Sequence, residues 1–189
     1  LLDVYEGRLN TNYLPESKKK RDIQEYSGLS SSWHQNRKNK KYINVLNRNA
    51  VNYIQNYRHA PKNTVMWTTF KPAANKYENR RMKANCRWNG RISCSECTRP
   101  CGVNFVSCNA RATNRYADRT TLIYLCNIFP VPPVVQYLSQ GTTAEFDADL
   151  YALAQLMQWI WRSAIRRGEA VSLYLPSARM RKLLLDWLG

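Results

Sequence analysis

Gln158, Arg162 and Arg166 stand four residues apart in the segment Gln-Trp-Ile-Trp-Arg-Ser-Ala-Ile-Arg. At helical spacing the three share one face, with Trp159, Ile160 and Ile165 around the other sides. Two guanidiniums held in so apolar a segment call for an anion, either a carboxylate or a phosphate. A second concentration of chemistry is the cysteine cluster Cys86, Cys94, Cys97, Cys101 and Cys108. Cys94 and Cys97 have chelate spacing, and Cys86 and Cys101 complete a set of four thiolates for one tetrahedral zinc ion. Free thiols in a reduced cell are the competing reading, and a disulfide framework is disfavoured because the chain has apolar strands enough to fold without staples. A third is the polar stretch Ser107–Thr121, which holds Arg111, Thr113, Asn114 and Asp118 between two apolar runs. Loops at the carboxyl ends of strands bind ligands in open α/β sheets, and a plain polar surface loop is the alternative. No GxxxxGK[ST] occurs, so the chain carries no phosphate-cradling loop of its own.

The elements that must position these groups follow from patterning. A chain of 189 residues buries one good core, and its net charge of +16 with abundant aromatics points to a polyanion, nucleic acid before membrane. A merely basic surface is the bland alternative. No run of about 18 apolar residues and no signal-like amino terminus occurs, which predicts an intracellular protein, cytoplasmic in a bacterial or phage-infected cell. The start at Leu1-Leu2 rather than Met suggests numbering from inside a longer polypeptide, with a partner domain elsewhere.

Residues 1–41 read as a basic extended arm or interdomain linker, carrying Lys18, Lys19, Lys20 and Arg21, then Arg37, Lys38, Lys40 and Lys41, as contacts to nucleic acid. Ile43, Leu46, Ala50, Ile54 and Tyr57 predict an amphipathic helix over 42–58, with Asn47, Asn49, Asn52 and Asn56 on its polar side. Strands are predicted at 64–70, 103–108, 120–129 and 170–175. Helices are predicted from Pro133 to Leu138, from an Asp147 or Asp149 cap to about Arg167, and after a Ser177 cap. The long one is expected to bury Leu150, Leu153, Met157, Ile160 and Ala164, and to end at Gly168. Strands alternating with helices give an α/β fold with a largely parallel sheet over 42–189, its core at 61–189, with a Cys-rich loop at 86–108.

The order Met66-Trp67-Thr68-Thr69-Phe70-Lys71, then Asn109-Ala110-Arg111-Ala112-Thr113-Asn114, then Gln158 to Arg166 resembles the second, carboxyl-terminal RecA-like lobe of a superfamily 2 helicase. The resemblance is to DEAD/DEAH-box-type helicases of phages and mobile elements, and covers residues 61–189. It implies a three-layer RecA-like lobe, with Arg111, Thr113, Asn114 and Lys71 on the nucleic-acid backbone. It also implies that Gln158, Arg162 and Arg166 act on the γ-phosphate of ATP with Mg2+, bound jointly with a first lobe on the same or another chain. Here Trp161 stands where that motif usually has Gly, and the arginines are four rather than three apart. An arginine supplied across a cleft makes hydrolysis depend on closure. The expected function is thus the carboxyl-terminal lobe of an ATP-dependent helicase or translocase acting on DNA or RNA. The alternative is a zinc-stabilised basic nucleic-acid-binding module, or a structural nucleoprotein subunit, without catalysis.

Overall fold

The structure, a computed structural model, describes residues 1–77, 104–110, 114–140 and 146–189. Four short strands form one sheet in the order β1-β4-β3-β2: Leu2–Val4 (β1), Val65–Thr68 (β2), Thr121–Tyr124 (β3) and Val171–Tyr174 (β4). Every pairing is parallel, with Leu2 opposite Val171, Thr121 opposite Ser172 and Val65 opposite Thr121. Between them run α1 (Lys18–Ser27), α2 (Ser31–Gln35), α3 (Lys40–Asn52), α4 (Pro132–Ser139) and α5 (Ala148–Ile160); α6 (Ala178–Leu188) follows β4. This is a Rossmann-like α/β domain, as the alternation of strand and helix signals predicts.

Side chains of the strands point alternately to two buried clusters. Val65, Trp67, Ile123, Leu125 and Tyr174 join one with Trp33, Ile43, Leu46 and Ala50 of α2 and α3. Met66, Leu122, Tyr124, Val171, Leu173 and Leu175 join the other with Leu156 and Trp159 of α5 and Met180 and Leu184 of α6. A sheet covered on both faces must bury every strand residue, and all of β2, β3 and β4 are buried. Each fully buried large apolar side chain stabilises by about 1.5–3 kcal/mol before entropy is counted.

The first 41 residues are not an extended arm. Leu2–Val4 pairs with β4, Tyr5 N–H donates to Leu173 C=O at 2.9 Å, and Leu9, Tyr13 and Leu29 are buried in the core on the α3 side. Asn49, expected on the polar side of α3, is buried too. Its Nδ2 donates to Leu9 C=O at 3.0 Å and to Asn12 Oδ1 at 2.6 Å, tying the amino-terminal segment to that helix. The helix itself runs as predicted and continues into a π-helical turn at Tyr53–Tyr57.

The helix expected from 147 to 167 is two elements. Asp147 Oδ1 caps it, accepting from the N–H groups of Asp149 and Leu150 at 2.8 Å, but α5 stops at Ile160 and a 3-10 turn covers Ala164–Arg167. Ser163 is extended, and its Oγ donates to Ile160 C=O at 2.7 Å, occupying a carbonyl that the next turn would have used. Gly168 ends the 3-10 turn at φ +77°, a conformation that favours glycine. Leu150, placed on the buried stripe by periodicity, is exposed, and Ala152, Leu156 and Trp159 are buried with Ile160. The strand expected at 103–108 reduces, among the described residues, to a parallel bridge between Phe105 and Trp67.

Candidate functional site

Three hydrogen bonds lace the end of α5 and the turn after it to the segment 106–114. Trp159 Nε1 donates to Val106 C=O at 3.0 Å, Arg162 Nη2 to Ala110 C=O, and Arg166 Nη1 to Asn114 Oδ1. Because α5 ends at Ile160, Gln158, Arg162 and Arg166 do not share one helical face: each lies in a different local structure. Arg162 is buried at 8% exposure, and its Nη1 also donates to Gln158 C=O, so the guanidinium serves as a carboxyl-terminal cap for α5. The Arg166 and Gln158 side chains are exposed. The two arginines therefore differ in setting: Arg162 is buried and braces the fold, and Arg166 is exposed.

Asp118, half-buried, pairs with Arg119 at 3.1 Å; Arg119 C=O accepts from Ala164 N–H at 2.9 Å, and Thr120 N–H donates to Thr64 C=O at 3.0 Å. These contacts set Asp118 where the chain enters β3, at the amino edge of the sheet rather than the carboxyl edge its sequence position suggested. Asn114, one turn earlier, reaches Arg166 just before β4. Arg111 and Thr113 lie outside the described residues, as do Cys86, Cys94, Cys97 and Cys101. Among the described residues no group of His, Cys, Asp and Glu is arranged to hold a metal ion, and no helix is long and apolar enough to cross a membrane.

The carboxyl edge of the sheet is filled by the chain's own polar groups. His34 is buried, with Nδ1 2.9 Å from Ser30 C=O and Nε2 3.0 Å from the Tyr77 hydroxyl. The carbonyl fixes the proton on Nδ1, leaving Nε2 to accept from Tyr77. Burial, opposed by the Ser30 bond and aided by nearby Lys76, pulls its pKa down to about 4. Asn127 Nδ2 donates to Tyr26 and Gly28 carbonyls at 2.7 and 3.0 Å, holding the α1–α2 connection over the end of β3. Arg179 crosses the same edge, donating to Asn127 Oδ1 at 3.0 Å and Ile128 C=O at 2.9 Å, and pairing with Asp149 through Nε at 3.0 Å and Nη2 at 2.5 Å. Beside β2, the half-buried Cys108 thiol is drawn below its ordinary range by a hydrogen bond from Cys126, and its electrostatic neighbours include Lys71, which is exposed.

The basic clusters are helical. Lys18, Lys19, Lys20 and Arg21 form the first turn of α1, Lys40 and Lys41 begin α3, and all six are exposed. Cations in a first helical turn oppose the macrodipole, a placement that becomes favourable when an anion sits beside them. Lys20 and Lys41 line one groove of about 400 Å3 with Tyr13, Leu14, Tyr42 and Val45, and Lys41 Nζ lies 4.9 Å from the centre of the Tyr42 ring. Sequence reasoning found these lysines but not their convergence, because the arm reading left α1 unfolded. It also missed Arg179 and His34, whose partners lie far away in the chain and leave no local signal.

The comparisons agree with this architecture. Residues 1–188 match the family model described as the YonV C-terminal Rossmann-like domain. The chain is 34% identical over 188 residues to the SPbeta prophage-derived protein YonV of Bacillus subtilis (strain 168), an alignment covering 99% of this chain and 38% of that relative's length. No solved structure matches. A family model spanning the chain almost end to end, on an all-parallel sheet with helices on both faces, shows that the chain belongs to the YonV C-terminal Rossmann-like domain family and is homologous to a prophage protein.

Proposed function

We propose that this domain is the second lobe of an ATP-dependent nucleic-acid helicase or translocase, with Arg166 as the arginine presented to ATP bound on a first lobe. One observation carries the reading. The two segments that resemble helicase motifs, about fifty residues apart in the chain, are bonded to each other by Arg162 to Ala110 and by Arg166 to Asn114. In such a lobe the nucleic-acid-contacting loop and the phosphate-sensing arginine must move together, and a shared hydrogen bond couples them. Arg162 is a positioning residue in this scheme, holding the loop against α5, while the exposed Arg166 guanidinium is free to leave Asn114 for a phosphate. ATP with Mg2+ would supply the transferring phosphoryl group; Arg166 would neutralise charge developing on it. The deciding experiment is nucleic-acid-stimulated ATP turnover by the complete protein with Arg166 replaced by Ala; unchanged turnover would remove the reading.

The groove between α1 and α3 favours a second reading, a basic nucleic-acid-binding module without catalysis, because two cationic helix starts converge there without reference to a nucleotide. In that reading zinc on Cys86, Cys94, Cys97 and Cys101 supplies stability to the module. Elemental analysis of protein purified without chelator tests it: about one zinc per chain supports it and none removes the metal from it.

A further inference from the structure

Cys108 and Cys126 meet where β2 leaves the sheet. Thr68, the last residue of β2, pairs with Tyr124 on one side, and Trp67 is bridged by Phe105 on the other. Continuing both registers sets Cys126 and Cys108 level with Phe70, one on each side of it, just before the chain turns into the 3-10 segment Lys71–Lys76. Side chains alternate along an extended chain, so Cys126 follows Leu122 and Tyr124, and Cys108 follows Val106, onto the face covered by α5 and α6. Chains flanking a third strand stand roughly 9–10 Å apart, too far for two thiols to touch. Here the middle strand has ended, and the Cys126 thiol donates a hydrogen bond to the Cys108 sulfur.

The two thiols are unequal in access. Cys126 is 0% exposed, whereas Cys108 is half-buried and is the sulfur that solvent can reach. They are unequal in acidity as well. The bond from Cys126 draws the Cys108 pKa below its ordinary range against the opposing effect of burial, and exposed Lys71 adds to the lowering. Burial, and then the bond it gives to Cys108, push Cys126 well above its ordinary range. Thiols that only fill apolar space are both pushed up, because burial penalises the thiolate of each. An accessible thiol that ionises readily, in contact with a second thiol closed to solvent, is the arrangement in which the first reacts with an oxidant and the second resolves it.

We propose that Cys108 and Cys126 form a reversible dithiol–disulfide pair oxidised by hydroperoxides, with Cys108 reacting first and Cys126 resolving it. The Cys108 thiolate attacks the terminal oxygen of the hydroperoxide and the O–O bond breaks. Sulfur is oxidised to a sulfenic acid, S–OH, and the departing alkoxide, or hydroxide from hydrogen peroxide itself, takes a proton from water. The Cys126 sulfur then displaces that hydroxyl, which leaves as water with the Cys126 proton, and the S–S bond forms. The peroxide gains the two electrons that the two sulfurs lose. The new bond ties the segment that Arg162 holds through Ala110 to the end of β3. This goes beyond the helicase and groove readings, and its test uses neither ATP nor nucleic acid. The 189-residue chain is treated with hydrogen peroxide, alkylated, digested without reductant and mapped by mass spectrometry. A peptide cross-linked between Cys108 and Cys126 should appear, and dithiothreitol should remove it. In the folded, reduced chain iodoacetamide should modify Cys108 at least about tenfold faster than Cys126. In Cys126→Ala the Cys108 sulfenic acid should persist and be trapped by dimedone; in Cys108→Ala, Cys126 should stay a thiol under the same peroxide. If either variant fails to fold, the wild-type cross-link and the ratio of alkylation rates still decide. No cross-link at peroxide concentrations that oxidise free cysteine, a cross-link joining Cys108 to another cysteine, or equal alkylation of the two thiols would overturn the proposal.

Discussion

Arg162 donates through one end of its guanidinium to Ala110 C=O, 52 residues before it in the chain, and through the other to Gln158 C=O, capping α5. Arg166, four residues on, donates from its guanidinium to the Asn114 side chain and is exposed. The two substitutions should therefore fail differently. Arg162→Ala leaves buried carbonyls without their charged donor and should cost about 1.5–3 kcal/mol of stability, visible as a fall of about 2–4 °C in Tm per kcal/mol. Arg166→Ala should leave Tm nearly unchanged and lower nucleic-acid-stimulated ATP turnover of the complete protein by about 10³–10⁵. Paired melting and turnover measurements check both; equal loss of Tm in the two variants would contradict the division of roles.

How much of this was legible in the sequence depends on whether a partner was local. Strands β2, β3 and β4 are β-branched, aromatic runs bounded by turn residues, and they appear where those signals stand. Strand β1 did not announce itself: Leu-Asp-Val is three residues long, and only β4 alongside makes it a strand. The run Lys18–Arg21 reads as solvated and extended, yet it forms the first turn of α1, with Gln24 buried farther along. The spacing of Gln158, Arg162 and Arg166 is helical, but Ser163 and the Arg162 guanidinium take the last carbonyls of α5. A periodic pattern cannot reveal that competition, because a side chain capping its own helix looks the same in sequence as one pointing away from it. The spacing predicts one shared helical face for Gln158, Arg162 and Arg166, and the end of α5 at Ile160 separates them instead.

His34 makes stability depend on acid. Its pKa is lowered to about 4 in the folded chain from about 6.5 unfolded, so the folded state binds the proton less well. Its contribution is complete above about pH 6.5 and is lost as pH falls toward 4, to a limit of roughly 3 kcal/mol. Denaturant unfolding at steps between pH 7 and 4 should show this slope, and His34→Gln should flatten it. A wild-type midpoint constant over that range would contradict the buried neutral imidazole.

Arg179 should resist conservative replacement. Its guanidinium meets Asp149 with two nitrogens, reaches Asn127 and Ile128, and lies 4.5 Å from the centre of the Phe129 ring. A lysine offers a single point charge in place of that planar fork. Arg179→Lys should consequently lower Tm nearly as far as Arg179→Ala, by the equivalent of about 1.5–3 kcal/mol. Asp149 is 60% exposed at its side chain, so Asp149→Asn should cost much less. Thermal melts of the three variants decide the order, and full rescue by lysine would show that charge alone matters here.

The groove between α1 and α3 predicts how nucleic-acid binding responds to salt. Lys20 comes from one helix start and Lys41 from another, yet both line the same space, so one phosphodiester backbone lying there would meet both. Each phosphate neutralised contributes about −0.9 to the slope of log K against log salt on duplex and about −0.7 on single strands. Lys20→Ala and Lys41→Ala should each reduce the slope by roughly one such increment and weaken binding to all sequences alike. The double variant should lose about two increments. Arg166→Ala, outside the groove, should leave the slope close to its original value. Titrations across a salt series, on duplex and single strands, measure all four slopes; lysine variants with unchanged slopes would remove the groove from the binding surface.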